Sequence, residues 1–230
     1  MILDVLVPLL SLIALEVILG IDNIIFISIL AGKLPSHEGN KLRYWGLGLA
    51  MVIRLILLGF ISWILKLDRE LFQVFDIGFS GKSLILLAGG LFLLYKSTKE
   101  ILHNTEDTEG PGVNKTKGGN FKKLLMEIIL LDLVFSVDSI ITAVGMVQEL
   151  WIMYAAVVVA VGIMLVASQP ISRFIQNHPS FKILALCFLM MIGVSLIAEG
   201  MHFTIPKGYI YFSMAFAFLV DLIQMKKLKK

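Results

Sequence analysis

"LEVILGIDNI", residues 15–24, lies inside an apolar run that extends from about Leu3 to Ala31, yet it carries Glu16, Asp22 and Asn23 in its middle. A carboxylate at mid-bilayer depth costs ~2.5–3.5 kcal/mol on insertion scales, so an acid placed there is by default a functional group. The first question is whether the surroundings are a membrane. The chain of 230 residues is 58% hydrophobic and only 16% charged, against about 25% charged for an ordinary soluble domain. Several apolar runs reach the ~18–20 residues that a bilayer requires. Seven candidate spans follow: 3–31, 42–65, 83–101, 122–147, 150–169, 181–202 and 207–225. The expectation is an all-α membrane protein of seven transmembrane helices, made almost entirely of spans and short loops. The N-terminus, MILDVLVPLL, lacks a basic leader segment and carries Asp4, so the first span is expected to be retained. The single cysteine, Cys187, excludes an internal disulfide and any paired-cysteine metal or redox motif.

The basic residues give an orientation. Lys66, Arg69, Lys82 and Lys207 fall on the side of the N-terminus, and Arg54 lies alone inside span two. Every other lysine and arginine, including the KKLKK tail, falls on the opposite side. The positive-inside rule then predicts the N-terminus outside and the C-terminus in the cytoplasm, as for a bacterial inner (plasma) membrane protein. The segment 103–120, HNTEDTEGPGVNKTKGGN, is polar and Gly-rich and reads as a cytoplasmic loop.

That loop separates two similar halves. "ALEVILGIDNII" (14–25) parallels "LLDLVFSVDSII" (130–141): an acid precedes an aspartate by six residues in both, Glu16 and Asp22, then Asp132 and Asp138. A small polar residue follows each aspartate, Asn23 or Ser139. The third spans also match, opening on Lys82 and Lys182 and closing on Glu100 with His103 and Glu199 with His202; these ends read as interfacial anchors. A three-span repeat must insert its second copy upside down, which is the design of many secondary transporters. The predicted organisation is a first three-helix repeat (1–102), the loop (103–120), an inverted second repeat (121–203), and a seventh helix with its basic tail (204–230).

On a regular helix Glu16, Gly20, Asn23 and Ile27 share one stripe, whereas Asp22 points about 120° away from Glu16. Asp132, Ser136 and Ser139 form the matching stripe of span four. A helix break at Gly20 would let both acids of span one converge; with Ser136 at the corresponding place, a break in span four is less expected. Without breaks, the two pairs face different neighbours as successive stations. The candidate donors are all oxygen: Glu16, Asp22, Asn23, Asp132, Ser136, Asp138 and Ser139. Hard or borderline divalent cations suit such a set, Mn²⁺, Ca²⁺ or Mg²⁺, whereas zinc and copper(I) recruit imidazole or sulfur. Arg54 is the candidate counter-ion. Gly46, Gly48, Gly89 and Gly90 read as points of close helix approach.

At these residues the chain resembles the TerC family of integral membrane proteins. "EVILGIDNIIFISIL" with "DLVFSVDSIITAVG" is similar to that family's paired acidic motif, and "GLGLAMVIRLIL" (46–57) with "VVVAVGIMLVAS" (157–168) to its second spans. The resemblance covers essentially the whole chain. It implies a metal-ion exporter, chiefly of Mn²⁺, related to LysE-type and cation/proton exchanger transporters, with Glu16, Asp22, Asp132 and Asp138 as the metal-site acids. Expected partners are the lipid bilayer, the divalent cation and protons for antiport; no nucleic acid and no resident cofactor are expected. Two other readings stay open, a Ca²⁺ exchanger and a membrane-protein assembly partner without transport activity. An enzyme is not expected, because no nucleophile–base set and no phosphate-binding loop is present.

Overall fold

The computed structural model describes residues 2–74, 77–106, 119–147 and 149–228. Among the described residues, seven long helices run α1 (Ile2–Ala31), α2 (Ser36–Gly59), α4 (Gly81–Glu106), α5 (Phe121–Met146), α6 (Leu150–Asn177), α7 (Pro179–Gly200) and α8 (Lys207–Leu228). A short helix α3 (Ile61–Ile64), a 3-10 turn (Leu65–Asp68) and two strands, β1 (Glu70–Val74) and β2 (Ile77–Ser80), stand between α2 and α4. The strands form an antiparallel hairpin that the all-helical expectation omits. Most of the predicted loop 103–120 lies outside the described residues, and its first residues, to Glu106, are the last turn of α4.

Among the described residues, four helices are long and apolar enough to cross a membrane: α1 from Val5 (mean hydropathy 2.3), α2 (1.5), α6 (2.6) and α7 (2.4). At ~1.5 Å per residue even a 22-residue helix such as α7 matches a hydrocarbon core of about 30 Å. The ends have local causes. Pro35 precedes α2, and Glu38 puts a negative charge at its positive end. The Asn120 side chain caps α5 by accepting from the Lys122 N–H at 3.1 Å. Pro179, which lacks a donor to lose, opens α7. α6 runs on through Pro170, where span five is predicted to end.

The chain divides into two compact units, Met1–Arg69 with Thr116–Phe174 and Glu70–Lys115 with Ile175–Lys230. The first unit holds α1, α2, α5 and most of α6. There α1 packs on α2 and α5, and α2 packs on α5. Its core includes Leu12, Leu42, Leu58 and Leu131, each at most 1% exposed.

The second unit is built on α4 against α7. Glycines set their seam: a Cβ on Gly90 would lie 2.6 Å from the Gly193 carbonyl oxygen, and one on Gly200 would lie 2.9 Å from the Ser83 carbonyl oxygen. Close backbone approach of this kind is the use of small residues between membrane helices. Among the described residues, nothing lies within 4 Å of a Cβ on Gly48, so the predicted close approach is not seen there, whereas Gly46 does sit close, against Ile128. Each end of the pair carries an ion pair, Lys82 with Glu199 at 3.2 Å and Lys182 with Glu100 at 3.7 Å. The helix α8 docks on α7, where Phe218 meets Phe181 with ring centroids 4.9 Å apart, and leaves Tyr209, Phe212 and Phe216 exposed. Trp45, Trp63 and Trp151 are exposed on the first unit, as interfacial aromatics are.

Candidate functional site

The first unit buries a polar cluster. Glu16 and Asn23 come from α1, Arg54 from α2, and Asp132 and Ser136 from α5, and none of the five is more than 6% exposed. Arg54 is the bridge. Its Nη1 pairs with Glu16 Oε2, and its Nη2 donates to Asp132 Oδ1 at 2.7 Å, with Nε at 3.2 Å from the same oxygen. Asn23 Nδ2 donates to Asp132 Oδ1 at 3.0 Å, and Ser136 Oγ to Asp132 Oδ2 at 3.2 Å. The local sequence explains the convergence. Glu16 and Asn23 are seven residues apart, two turns along one stripe of α1, and Asp132 and Ser136 are four apart on α5. Arg54 is the one basic residue deep in the apolar part of α2, and its planar fork can reach two carboxylates at once.

A guanidinium stays protonated in a protein, so the ionised cluster has two negative charges against one positive. Desolvating such groups costs several kcal/mol each, and they persist only where geometry is good and the remaining lone pairs are hydrogen-bonded. Asp132 meets that condition through Arg54, Asn23 and Ser136. Beside the cluster lies a cavity of about 10 Å³, room for about one water molecule; Asn23, Arg54, Asp132 and Met164 are on its wall.

The break at Gly20 is not formed. α1 is continuous from Ile2 to Ala31, and α5 is continuous through Ser136. Gly20 serves a different purpose. A Cβ there would overlap Sδ and Cε of Met164 on α6, so the missing side chain lets that methionine lie against α1. With both helices regular, Asp22 and Asp138 stand ~9 Å further along their axes than Glu16 and Asp132 and point elsewhere around them. Both are buried, each 4% exposed. Ser139 Oγ donates to the Ser136 carbonyl at 3.4 Å, and Thr142 Oγ1 to the Asp138 carbonyl at 3.0 Å. Among the described residues, no three acidic, histidine or cysteine side chains form a group able to hold a metal ion. Glu16 and Asp132 are thus joined by Arg54, and Asp22 and Asp138 lie further along the same two helices. Buried Glu127 and Arg43, the latter donating to Asn40, are polar groups that the sequence pattern misses. Their one signal is a charge just inside the end of an apolar run.

A family model described as "Integral membrane protein TerC family" matches residues 3–228. The chain belongs to the TerC family. A UPF0053 protein of Haemophilus influenzae is 48% identical over 229 residues, covering 97% of this chain and 95% of the relative. The UPF0053 inner membrane protein YgdQ of Escherichia coli is 47% identical, covering 94% of this chain and 90% of the relative. The longer inner membrane protein YoaE of Escherichia coli is 48% identical over 93% of this chain, which spans only 41% of that relative's length. No solved structure matches. The TerC match thus includes α1, α2 and α5, the helices that carry the buried cluster.

Proposed function

We propose that this TerC protein is a secondary transporter that exports divalent metal ions, Mn²⁺ first, from the cytoplasm across the inner membrane. The observation that carries the reading is the buried Glu16–Arg54–Asp132 bridge. Carboxylates at matching places in the two sequence halves are held together by one cation, in surroundings whose other donors are oxygen or amide. What the bridge does for a guanidinium, it can do for a metal ion. The oxygen-only donor set favours Mn²⁺, Ca²⁺ or Mg²⁺ over zinc or copper(I), and the family resemblance favours Mn²⁺.

The seven helices act as two inverted three-helix repeats plus one, with the N-terminus outside and the C-terminus inside. Asp22, Asp138 and Ser139 form a second station on the same two helices. Access alternates around these acids, and protons are the ions exchanged. The name "inner membrane protein" carried by YgdQ supports the location.

The test is the manganese content, by elemental analysis, of a Mn²⁺-sensitive bacterium lacking its own exporters. Wild type is expected to lower cellular manganese several-fold. Asp132→Asn, Asp22→Asn and Asp138→Asn, at matched membrane levels, are each expected to fail. Unchanged manganese with wild type refutes the manganese assignment. Calcium in place of manganese then supports the exchanger reading, and no transport in liposomes together with stably co-purifying partners supports an assembly role.

A further inference from the structure

We propose that Arg54 is a tethered competitor of the transported ion. Its guanidinium fills the place between Glu16 and Asp132 that a divalent cation takes, so cargo enters by displacing it and leaves as it returns. The proposal rests on the reading of Glu16 and Asp132 as cation ligands.

Three observations and one electrostatic argument carry it. Arg54 is bonded to both carboxylates at once, one on α1 and one on α5, so it sits between the helices rather than beside one of them. It is 3% exposed, and its fork engages three carboxylate oxygens, Glu16 Oε2 and both oxygens of Asp132. A guanidinium and a divalent ion repel strongly at such range in a poorly polarisable interior; the two cations must therefore alternate. The cavity beside Arg54 has room for about one water molecule, so displacing the guanidinium needs a wall that gives, and Met164 is on that wall. That side chain is flexible and rests on the bare backbone of Gly20.

The sequence repeat sharpens the assignment. Glu16 and Asp132 occupy matching positions in the two acidic motifs, whereas the stretch similar to the second span in the other half, "VVVAVGIMLVAS" (157–168), holds no basic residue. The cluster thus has paired acids and one cation of its own, and methionine is an uncharged, unbranched and flexible replacement for the arginine stem. Arginine suits the competitor's role because one fork spans two carboxylates, which a lysine ammonium on its flexible stem does less well.

Competition from within lowers apparent affinity by the fraction of empty protein in which the site is open. Where that fraction is a tenth or less, removing the competitor tightens binding by about tenfold or more. Release then lacks the returning guanidinium and slows. The experiment titrates Mn²⁺ alone into the purified full chain, as wild type, Arg54→Met and Arg54→Lys, by calorimetry, and follows Mn²⁺ transport in liposomes. Arg54→Met is expected to bind about tenfold more tightly, with a lower KM and a lower maximal rate; Arg54→Lys is expected to lie between it and wild type. Affinity that is unchanged or weaker in Arg54→Met, with thermal melting and elution profile matching wild type, overturns the proposal. Should Arg54→Met fail to fold, Arg54→Lys decides: tighter binding supports the competitor, and equal or weaker binding overturns it. A wild type that binds Mn²⁺ beside a flat series refutes the competitor alone. Absence of binding in every folded variant refutes the cation site, and with it the competitor.

Discussion

Asp132 accepts hydrogen bonds from Arg54, Asn23 and Ser136, side chains of three different helices including its own. It ties α1, α2 and α5 together as well as carrying charge. Removing one partner of a buried ion pair typically costs about 3–5 kcal/mol, because the other charge is left uncompensated. Asp132→Ala is therefore expected to lower the midpoint of SDS-induced unfolding substantially. Asp132→Asn retains the side chain's size and one acceptor oxygen, so it is expected to unfold later than the alanine variant. Equal midpoints for the two would show that the hydrogen bonds to Asp132 contribute nothing to the folded state. At this scale much of the site is legible in the sequence. An arginine alone in an apolar span needs a carboxylate, and acids repeated at matched positions supply two. The bond from Asn23 to Asp132 was not legible, nor was Met164 above Gly20. Both depend on how distant helices pack, and a glycine reads equally well as a break or as a place for a neighbour.

The seam between α4 and α7 is set by backbone contacts that no side-chain rotation can relieve. Gly90→Ala would push a Cβ to 2.6 Å from the Gly193 carbonyl oxygen, and overpacking of this kind costs about 1–3 kcal/mol. Thermal unfolding of the variant in detergent is expected to fall by several degrees, and an unchanged midpoint would mean that the seam yields freely. The flanking pairs Lys82–Glu199 and Lys182–Glu100 are partly exposed, and pairs of that kind contribute ~0–1 kcal/mol, so glycine packing outweighs them. Helices legible from hydropathy include the first, predicted over 3–31 and observed as Ile2–Ala31, and the fourth, predicted over 122–147 and observed as Phe121–Met146. The second was predicted from residue 42 but begins at Ser36, because a helix can start in polar sequence before the apolar run that marks a span. The fifth passes Pro170, since a bilayer penalises an interrupted backbone more than it penalises one missing donor. The hairpin Glu70–Ser80 was not legible: its strands are too short for a periodic signal to stand out beside long helices.

Over the whole molecule, the compact units do not follow the two halves of the chain. The first contains α1 and α2 with α5 and most of α6, and the second contains α4 with α7 and α8. Each unit therefore takes helices from both halves of the chain. The proposed orientation is tested by labelling intact cells with a membrane-impermeant maleimide after replacing Cys187 with serine. Lys66→Cys is expected to label and Lys41→Cys to remain unlabelled until the cells are opened; the reverse pattern would overturn the orientation. The unbroken course of α1 and α5 bears on the cargo itself. In a continuous helix the carbonyl groups are already bonded along the chain, so an ion at Glu16 and Asp132 has side-chain oxygens to bind and little else. Its remaining coordination positions must stay with its own hydration shell, as magnesium-like ions keep theirs. On the proposed function, what the protein sorts is then a partly hydrated ion, and the reluctance of each metal to shed water becomes part of its selectivity.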